Sequence, residues 1–410
     1  MIWALIHDGP PKNGRVAMTL RHNESMDPAY SSRLFWSTAP NALTCALEKR
    51  RLAGAPVFDL TQSNPTHASI RYPDLYDSLA DPGCLKYEPV PSGLRSAREA
   101  IAGYYTAAGR KIVDPDRMLL TASTSEAYSF LFKLLCDPGD EVLVPRPSYP
   151  LFDHLAQLEC VQVYQYSLRY DEGWFVDIGS LCDQLTPRTR AIICVNPNNP
   201  TGSYLKRAEY QEIAGLCAAR GLALISDEVF ADYEIEPERD SLRTLTGESE
   251  CLSFSLSGLS KVSGLPQMKL GWMIASGPGY EQALERLEWI ADTFLSVSAP
   301  VQLAAPALLA ARHEVQAQIR ERTADNLQFL RSAATNTACR VLRIEGGWYV
   351  TLQAPRIRSE EAWTLELLER GVLVQPGFYF DFESEPFLVL SLLTEPSVFQ
   401  PGVRNILDAC

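Results

Sequence analysis

The 410-residue sequence contains no CxxC pair and no short Cys/His cluster, although ten cysteines are scattered from Cys45 to Cys410. A zinc site is thereby set aside, as is the disulfide framework of small secreted domains, and a reducing, cytoplasmic setting is the simpler expectation. Long apolar runs are also missing. The N-terminal run MIWALI ends after six residues at His7 and Asp8, too short for a signal core or a membrane span. There is no basic excess. With 37 Lys and Arg against 50 Asp and Glu the net charge is −13, which disfavours nucleic acid and anionic membranes as partners. A small anionic ligand held by a few local cations remains compatible with it. Internal repeats and low-complexity tracts are absent. One further gap is local: no arginine occurs between Arg370 and Arg404.

What is present is the balance of an ordinary globular chain, 46% hydrophobic and 21% charged, with length for two or three domain-sized units. Residues 1–30 carry Gly, Pro, Asn and charges without apolar periodicity and read as a loose arm, with Met18 a candidate for the true start. Helical spacing runs from Ala39 to Arg51, VFDLTQSNPT (57–66) reads as a short strand entering a turn, and Gly93 precedes an amphipathic helix carrying Ala97, Ala100, Ile101 and Tyr104 on one face. From MLLTA onward, strands and helices alternate. EAYSFLFKLLC is a helix capped by Ser123–Ser125 and closed by Asp137-Pro138-Gly139, and EVLVP is a buried strand. RAIICV stops in an Asn/Pro turn, EYQEIAGLCAARG is a helix closed by Gly221, LALISDEVF ends in acids, and CLSFSLSG follows as a strand.

This alternation, with continuously apolar strands, predicts an α/β fold with a mostly parallel sheet covered by helices on both faces. Beyond Trp272 comes a long helical region, about 279–335, broken near 296–300. VLRIEGGWYVTLQAP then reads as a strand pair, EEAWTLELLERG as a helix, and VLVQPG and FLVLSLL as strands of a smaller α+β unit. The expected division is an arm (1–34), the N-terminal part of a small domain (35–75), a large domain (76–299) and the C-terminal small domain (300–410).

The stretch Ser255–Trp272, SLSGLSKVSGLPQMKLGW, sets Lys261 among small and hydroxyl residues and Lys269 eight positions on. A lysine that loses its proton when desolvated suits Schiff-base formation, and a second cation suits a phosphate. Alone, the stretch reads equally well as a solvated loop. Ser123, Thr124 and Ser125 stand at a helix N-terminus, where free N–H groups and the dipole favour an anion, or they simply cap the helix. In such sheets ligands sit beyond the carboxyl ends of the strands, and Ser123, Thr124, Asn199, Asp227 and Lys261 all lie at such ends.

The ordered set PRPSYP (145–150), NPNNPTG (196–202), SDEVF (226–230) and SGLSKVSGLPQMKLGW (257–272), together with KYEPVPSGLRSA, resembles the class I/II aminotransferases, the fold type I pyridoxal-phosphate enzymes, over about residues 35–400. The resemblance implies pyridoxal 5′-phosphate as cofactor, with Lys261 forming the Schiff base and moving a proton between Cα and C4′. It implies that Asp227 pairs with the pyridine nitrogen and keeps it protonated, so that the ring accepts electrons. Asn199 would bond the phenolic oxygen from a turn fixed by Pro200, Thr201 and Gly202, and Tyr149 would stack on the ring. Ser123, Thr124, Ser260 and Lys269 would form the phosphate cup. Ser123 stands where glycine is common and Lys269 where arginine is usual, which implies a looser grip on the phosphate. A homodimer with sites at the interface is implied, Tyr87 reaching the partner's phosphate and the segment around Ser296 and Ser298 contributing there. The implied reaction is transamination between an amino compound and a keto acid. A lyase or decarboxylase on the same scaffold is the alternative. A non-catalytic cofactor-binding regulator is more remote, since only about 30 non-basic residues precede the body.

Two positions depart from the family's pattern. In FLVLSLL, Val389 occupies the place of the arginine that usually grips the substrate carboxylate. Either Arg33, Arg71 or Arg356 substitutes, or the amino substrate is not an ordinary α-amino acid. No arginine lies near 290–298, which disfavours aspartate or glutamate as main substrate, and Trp36, Trp348 and Tyr349 are candidates for an apolar pocket. The other departure is Phe230, where many members have a tyrosine that donates to the phenolic oxygen. Without that donor the Schiff base should stay protonated to higher pH. A pH titration of the visible band is therefore expected to move to lower pH in Phe230→Tyr, and coincident titrations would contradict this reading.

Overall fold

The computed structural model describes residues 30–410 apart from Phe35, Lys111, Ser249 and Glu385, so the expected arm and the Met18 start fall almost wholly outside the described residues. Helix α1 (Ala42–Leu52) opens at Asn41, whose side chain accepts from the Thr44 N–H, and strand β1 (Phe58–Asp59) follows. Helix α2 (Arg95–Ala107) comes after Gly93, at φ +92°, where a Cβ would lie 2.4 Å from Leu120. The alternating region then comprises β2 (Met118–Thr121), α3 (Thr124–Leu135), β3 (Glu141–Arg146), α4 (Phe152–Leu158), β4 (Gln162–Tyr170), β5 (Trp174–Val176) and α5 (Ile178–Gln184). It continues through β6 (Thr189–Val195), α6 (Arg207–Arg220), β7 (Ala223–Asp227), β8 (Ser253–Gly258), α7 (Leu259–Val262) and β9 (Gly271–Ser276). Three helices come next, α8 (Tyr280–Phe294), α9 (Ala299–Ala310) and α10 (Arg312–Ala334). The chain closes with β10 (Arg340–Val341), β11 (Tyr349–Gln353), α11 (Glu360–Glu369), β12 (Val372–Leu373), β13 (Gln375–Pro376), β14 (Phe387–Ser391) and α12 (Pro396–Leu407).

The large sheet has the order β2-β9-β8-β7-β6-β3-β4-β5. The pairs β4/β3, β3/β6, β6/β7 and β7/β8 are parallel. Strand β9 runs against both β2 and β8, because the short return through α7 has no room for a crossover. Successive strand residues point to opposite faces, and both faces are dry. Val142, Val144, Ile193 and Ile225 pack with Tyr128 and Leu131 of α3 and Leu287 of α8, whereas Leu143, Ile192 and Leu224 pack with Ile213 and Cys217 of α6. Strands buried on both sides leave little place for charged groups except at their ends, and Asp227 stands at such an end.

The second sheet, β10-β11-β14-β13, is antiparallel, and β1 pairs with β12 in a separate parallel ribbon. The run VLVQP, which reads as one strand, is therefore shared: Val372–Leu373 pairs with β1 and Gln375–Pro376 with β14. On one face of the second sheet Val350, Leu352, Leu388 and Leu390 pack on Leu330, Trp363 and Phe399 of α10, α11 and α12. The other face turns Tyr349 and Val389 toward Phe230, Tyr233 and Trp348. Helix α12 escapes a pattern reading because Pro401 and Gly402 interrupt it, and the long helical region breaks a second time at Ala311. No helix among the described residues is long and apolar enough to cross a membrane.

A buried ion pair ties the chain after β6 to the approach to β11. Lys206 Nζ lies 2.7 and 2.8 Å from the two oxygens of Glu345 and 2.8 Å from the Tyr204 carbonyl, and the Glu345 side chain is 2% exposed. Removing one partner strands the other charge. Lys206→Met should lower the unfolding free energy by about 3–5 kcal/mol, read as a fall in the urea midpoint, and Lys206→Met with Glu345→Leu should recover part of the loss.

Candidate active site

Lys261 stands in the turn of helix that begins where β8 ends, and its backbone is pinned from two sides. Tyr233 Oη donates to the Lys261 carbonyl at 2.6 Å, and Gln316 Nε2 of α10 donates to the Val262 carbonyl at 2.7 Å. The side chain reaches between two rings, with Nζ 4.9 Å from the centroid of Trp348 and 5.4 Å from that of Phe230. Crowding by protein atoms pulls its pKa down to about 8, and the carboxylate of Asp227 opposes that pull. An amine so placed becomes nucleophilic at a pH where an exposed lysine is not.

Asp227 ends β7, next to β8 in the sheet, and is 6% exposed. Its carboxylate accepts from the Val229 N–H and from Tyr128 Oη, each at 3.2 Å. Burial outweighs these donors and raises its pKa to about 6, so the charged form gains from any ligand that brings a further N–H. The adjacent Glu228 serves the fold, accepting from Thr244 Oγ1 (2.6 Å), the Leu245 N–H (2.7 Å) and Ser226 Oγ (3.0 Å). Asn199, 4% exposed, has a buried Oδ1 without a hydrogen-bond partner. Its turn is locked by the Gly202 N–H donating to the Asn198 carbonyl at 2.8 Å. At φ +72°, Gly202 approaches Gly346 so closely that a Cβ would lie 2.5 Å from the Gly346 carbonyl. Tyr149 packs edge-on against Phe152, and burial together with nearby Asp227 and Tyr349 pushes its hydroxyl pKa up.

At the other end, Ser123 caps α3, its Oγ accepting from the Glu126 N–H at 3.2 Å. Glu126 Oε2 accepts from the Ala122 N–H (2.7 Å) and from Ser296 Oγ (2.6 Å), so Ser296 contacts this cap within its own chain. The Thr124 and Ser125 N–H groups of this twelve-residue helix have no acceptor among the described residues. Gly271 lets β9 approach this cap, since a Cβ there would stand 3.0 Å from the Ser123 carbonyl carbon. Ser260 is half-buried on α7. Lys269 is exposed in a left-handed turn and forms no ion pair among the described residues. Tyr87, 83% exposed, lies with Ser296 along a separate cleft.

The structure thus brings together Lys261, Asp227, Asn199, Tyr149 and the α3 N-terminus, and leaves Lys269 and Tyr87 exposed outside that group. Val389 is fully buried behind Trp348 and Tyr349. None of the three candidate arginines joins that wall: Arg33 donates to the Leu158 carbonyl at 2.9 Å, and Arg71 and Arg356 are exposed. Trp36 instead lies on α4, its indole N–H on Gln157. Three functional neighbours escaped the sequence reading: Tyr128, Glu126 and Tyr233. Tyr128 is indistinguishable from a core aromatic until α3 is laid across β7, whereas Glu126, three residues after Ser123, carried a capping-box signal.

A crowded amine, a buried acid in need of a donor, a buried side-chain amide, an aromatic ring and a helix N-terminus with free N–H groups fit a carbonyl compound with a basic ring nitrogen and a phosphate. That donor set defines the class of fold type I pyridoxal-phosphate proteins. The chain belongs to the aminotransferase class I and II family, whose model matches residues 56–397. It is 31% identical over 266 residues to the glutamate-pyruvate aminotransferase AlaA of Escherichia coli, a match covering 62% of this chain and 64% of that protein's length. It is 28% identical over 350 residues to the aspartate/prephenate aminotransferase of Thermus thermophilus, covering 82% and 86%. In fold it is similar to the alanine aminotransferase of Pyrococcus furiosus, with a TM-score of 0.83 at 22% identity over 93% of this chain and 99% of that one.

The position of Lys261 predicts its titration. In protein freed of cofactor, acylation of Lys261 followed by peptide mass spectrometry should show a midpoint near pH 8. Asp227→Asn should move the midpoint lower, because it removes the charge that favours the ammonium form; an upward move would refute the assignment.

Proposed function

We propose that the protein is a pyridoxal-phosphate-dependent aminotransferase, moving an amino group between an amino compound and a keto acid. The observation that carries this reading is the convergence of the crowded Lys261 amine and the buried Asp227 carboxyl at the ends of adjacent strands. When bound, the cofactor supplies an aldehyde that condenses with primary amines and a ring that withdraws electrons. Lys261 Nζ would hold the cofactor covalently, and as a free amine it would be the base that takes and returns the proton of the carbon bearing the substrate amine. Asp227 would hold a proton at the ring nitrogen. Asn199 would orient the ring oxygen, Tyr149 would cover the ring face, and Ser123, Thr124 and Ser260 would direct donors at the phosphate, with Lys269 supplying charge from its exposed turn.

Working as a homodimer completes this picture. Tyr76, Leu85 and Tyr87 are each exposed, and a second copy seated over Tyr87 would bring it to the partner's site. Ten free cysteines agree with a cytoplasmic setting.

A donor screen on cofactor-loaded protein tests the reaction. Amino donors should bleach the visible band and keto acids restore it, whereas carbon dioxide or elimination products without an aminated cofactor would overturn transamination in favour of a lyase or decarboxylase. Lys261→Ala should lose the covalent attachment and turnover by several orders of magnitude, and full turnover in that variant would end the assignment.

A further inference from the structure

The turn that follows β7 meets Lys261 through two of its residues, with the Phe230 ring 5.4 Å from Nζ and the Tyr233 hydroxyl on the Lys261 carbonyl. Between them stands Asp232, whose carboxylate is held by the α2 segment instead. Asp232 Oδ1 accepts from Arg110 Nη2 at 2.9 Å and Oδ2 accepts from Tyr104 Oη at 2.8 Å, while Arg110 Nη1 donates to the same hydroxyl at 2.6 Å. Three hydrogen bonds thus close a ring. The Asp232 carbonyl is held as well, by Nη2 and Nε of Arg320 on α10 at 2.8 and 3.1 Å. The same guanidinium donates to Gln316 Oε1 at 3.2 Å, and Gln316 Nε2 in turn donates to the Val262 carbonyl. From Asp232 the path therefore reaches the lysine twice, through Tyr233 to its own carbonyl and through Arg320 and Gln316 to the next.

The side chains of Arg110 and Asp232 are only 8% and 7% exposed. A buried ion pair is a poor source of stability, because apolar residues of similar volume would serve the core as well or better. What this one supplies is geometry, since an ionised pair sharing a hydroxyl tolerates few arrangements. We infer that Asp232 is a positioning residue for Lys261, holding through Tyr233 and Arg320 the stretch of backbone that aims the amine. The inference rests on Lys261 being the reactive amine, and its test is independent of which reaction follows. Asp227 is the charged group that acts on that amine directly, so Asp232 and its partners work through position and not through charge.

Two variants separate positioning from plain support of the fold. Tyr104→Phe combined with Arg110→Met and Asp232→Leu exchanges the hydrogen-bonded ring for apolar packing, and should keep the urea midpoint near or above that of the parent protein. The turn is then free to drift and water reaches Lys261 more often. The midpoint of Lys261 acylation in cofactor-free protein should rise by about half a pH unit or more from its value near 8. With cofactor bound, kcat should fall about tenfold or more with KM nearly unchanged. A folded triple variant with an unchanged acylation midpoint would overturn the inference. Should that variant fail to fold, Arg320→Met decides, because Arg320 is exposed and its loss frees the Asp232 carbonyl while the ion pair stays. The midpoint should rise here too, and an unchanged one would overturn the inference. If no donor bleaches the visible band of the parent protein while the acylation midpoint still moves in the variants, transamination fails and the positioning role stands.

Discussion

Everything in this structure depends on two groups being dried at once. Lys261 and Asp227 lie at the ends of neighbouring strands in a sheet whose faces are both covered, and burial pushes each toward its neutral form. Left alone, either would be a liability. Side by side, each moderates the other, and both are left with titration points near neutrality, where protons can be exchanged with little driving force. The surroundings serve that balance. Tyr128 and the Val229 N–H keep Asp227 from losing its charge altogether, and the rings of Trp348 and Phe230 surround the lysine without offering it an acceptor.

The backbone is held at least as firmly as the side chains. Tyr233 holds the lysine's own carbonyl, Gln316 holds the next, and the left-handed Gly202 lets the Asn199 turn lie against Gly346. The second sheet is thus part of the site and not an attachment to it. It contributes the wall that carries Trp348, Tyr349 and Val389, and the Lys206–Glu345 pair anchors it to the chain that follows β6.

Much of this was legible in the sequence, for a physical reason. Strands buried on both faces are mostly apolar, so the polar residues that follow them mark the sheet's edge; Asn199, Asp227 and Lys261 lie at such ends, although the stretch around Lys261 reads by itself equally well as a solvated loop. Patterns carry less where a side chain's meaning comes from a distant neighbour. Tyr128 looks like any core aromatic on a helix, and Tyr233 gives no sign that its hydroxyl will meet the lysine carbonyl. Helix α12 was hidden by its own proline and glycine. The run Val372–Pro376 reads as one strand, because pattern records that a segment is buried and extended and not which of two sheets receives it.

That shared run has a consequence for how the molecule comes into being. The partner of Phe58–Asp59 is Val372–Leu373, near the far end of the chain. During synthesis the large sheet can assemble while β1 is still waiting, because β2 to β9 are made first and pair only among themselves. The ribbon, and the wall that ends in β14, form only as the ribosome reaches the last residues. The rings of Trp348 and Tyr349, and Val389 beside them, therefore reach the Lys261 side of the large sheet only after that sheet's own strands have been made.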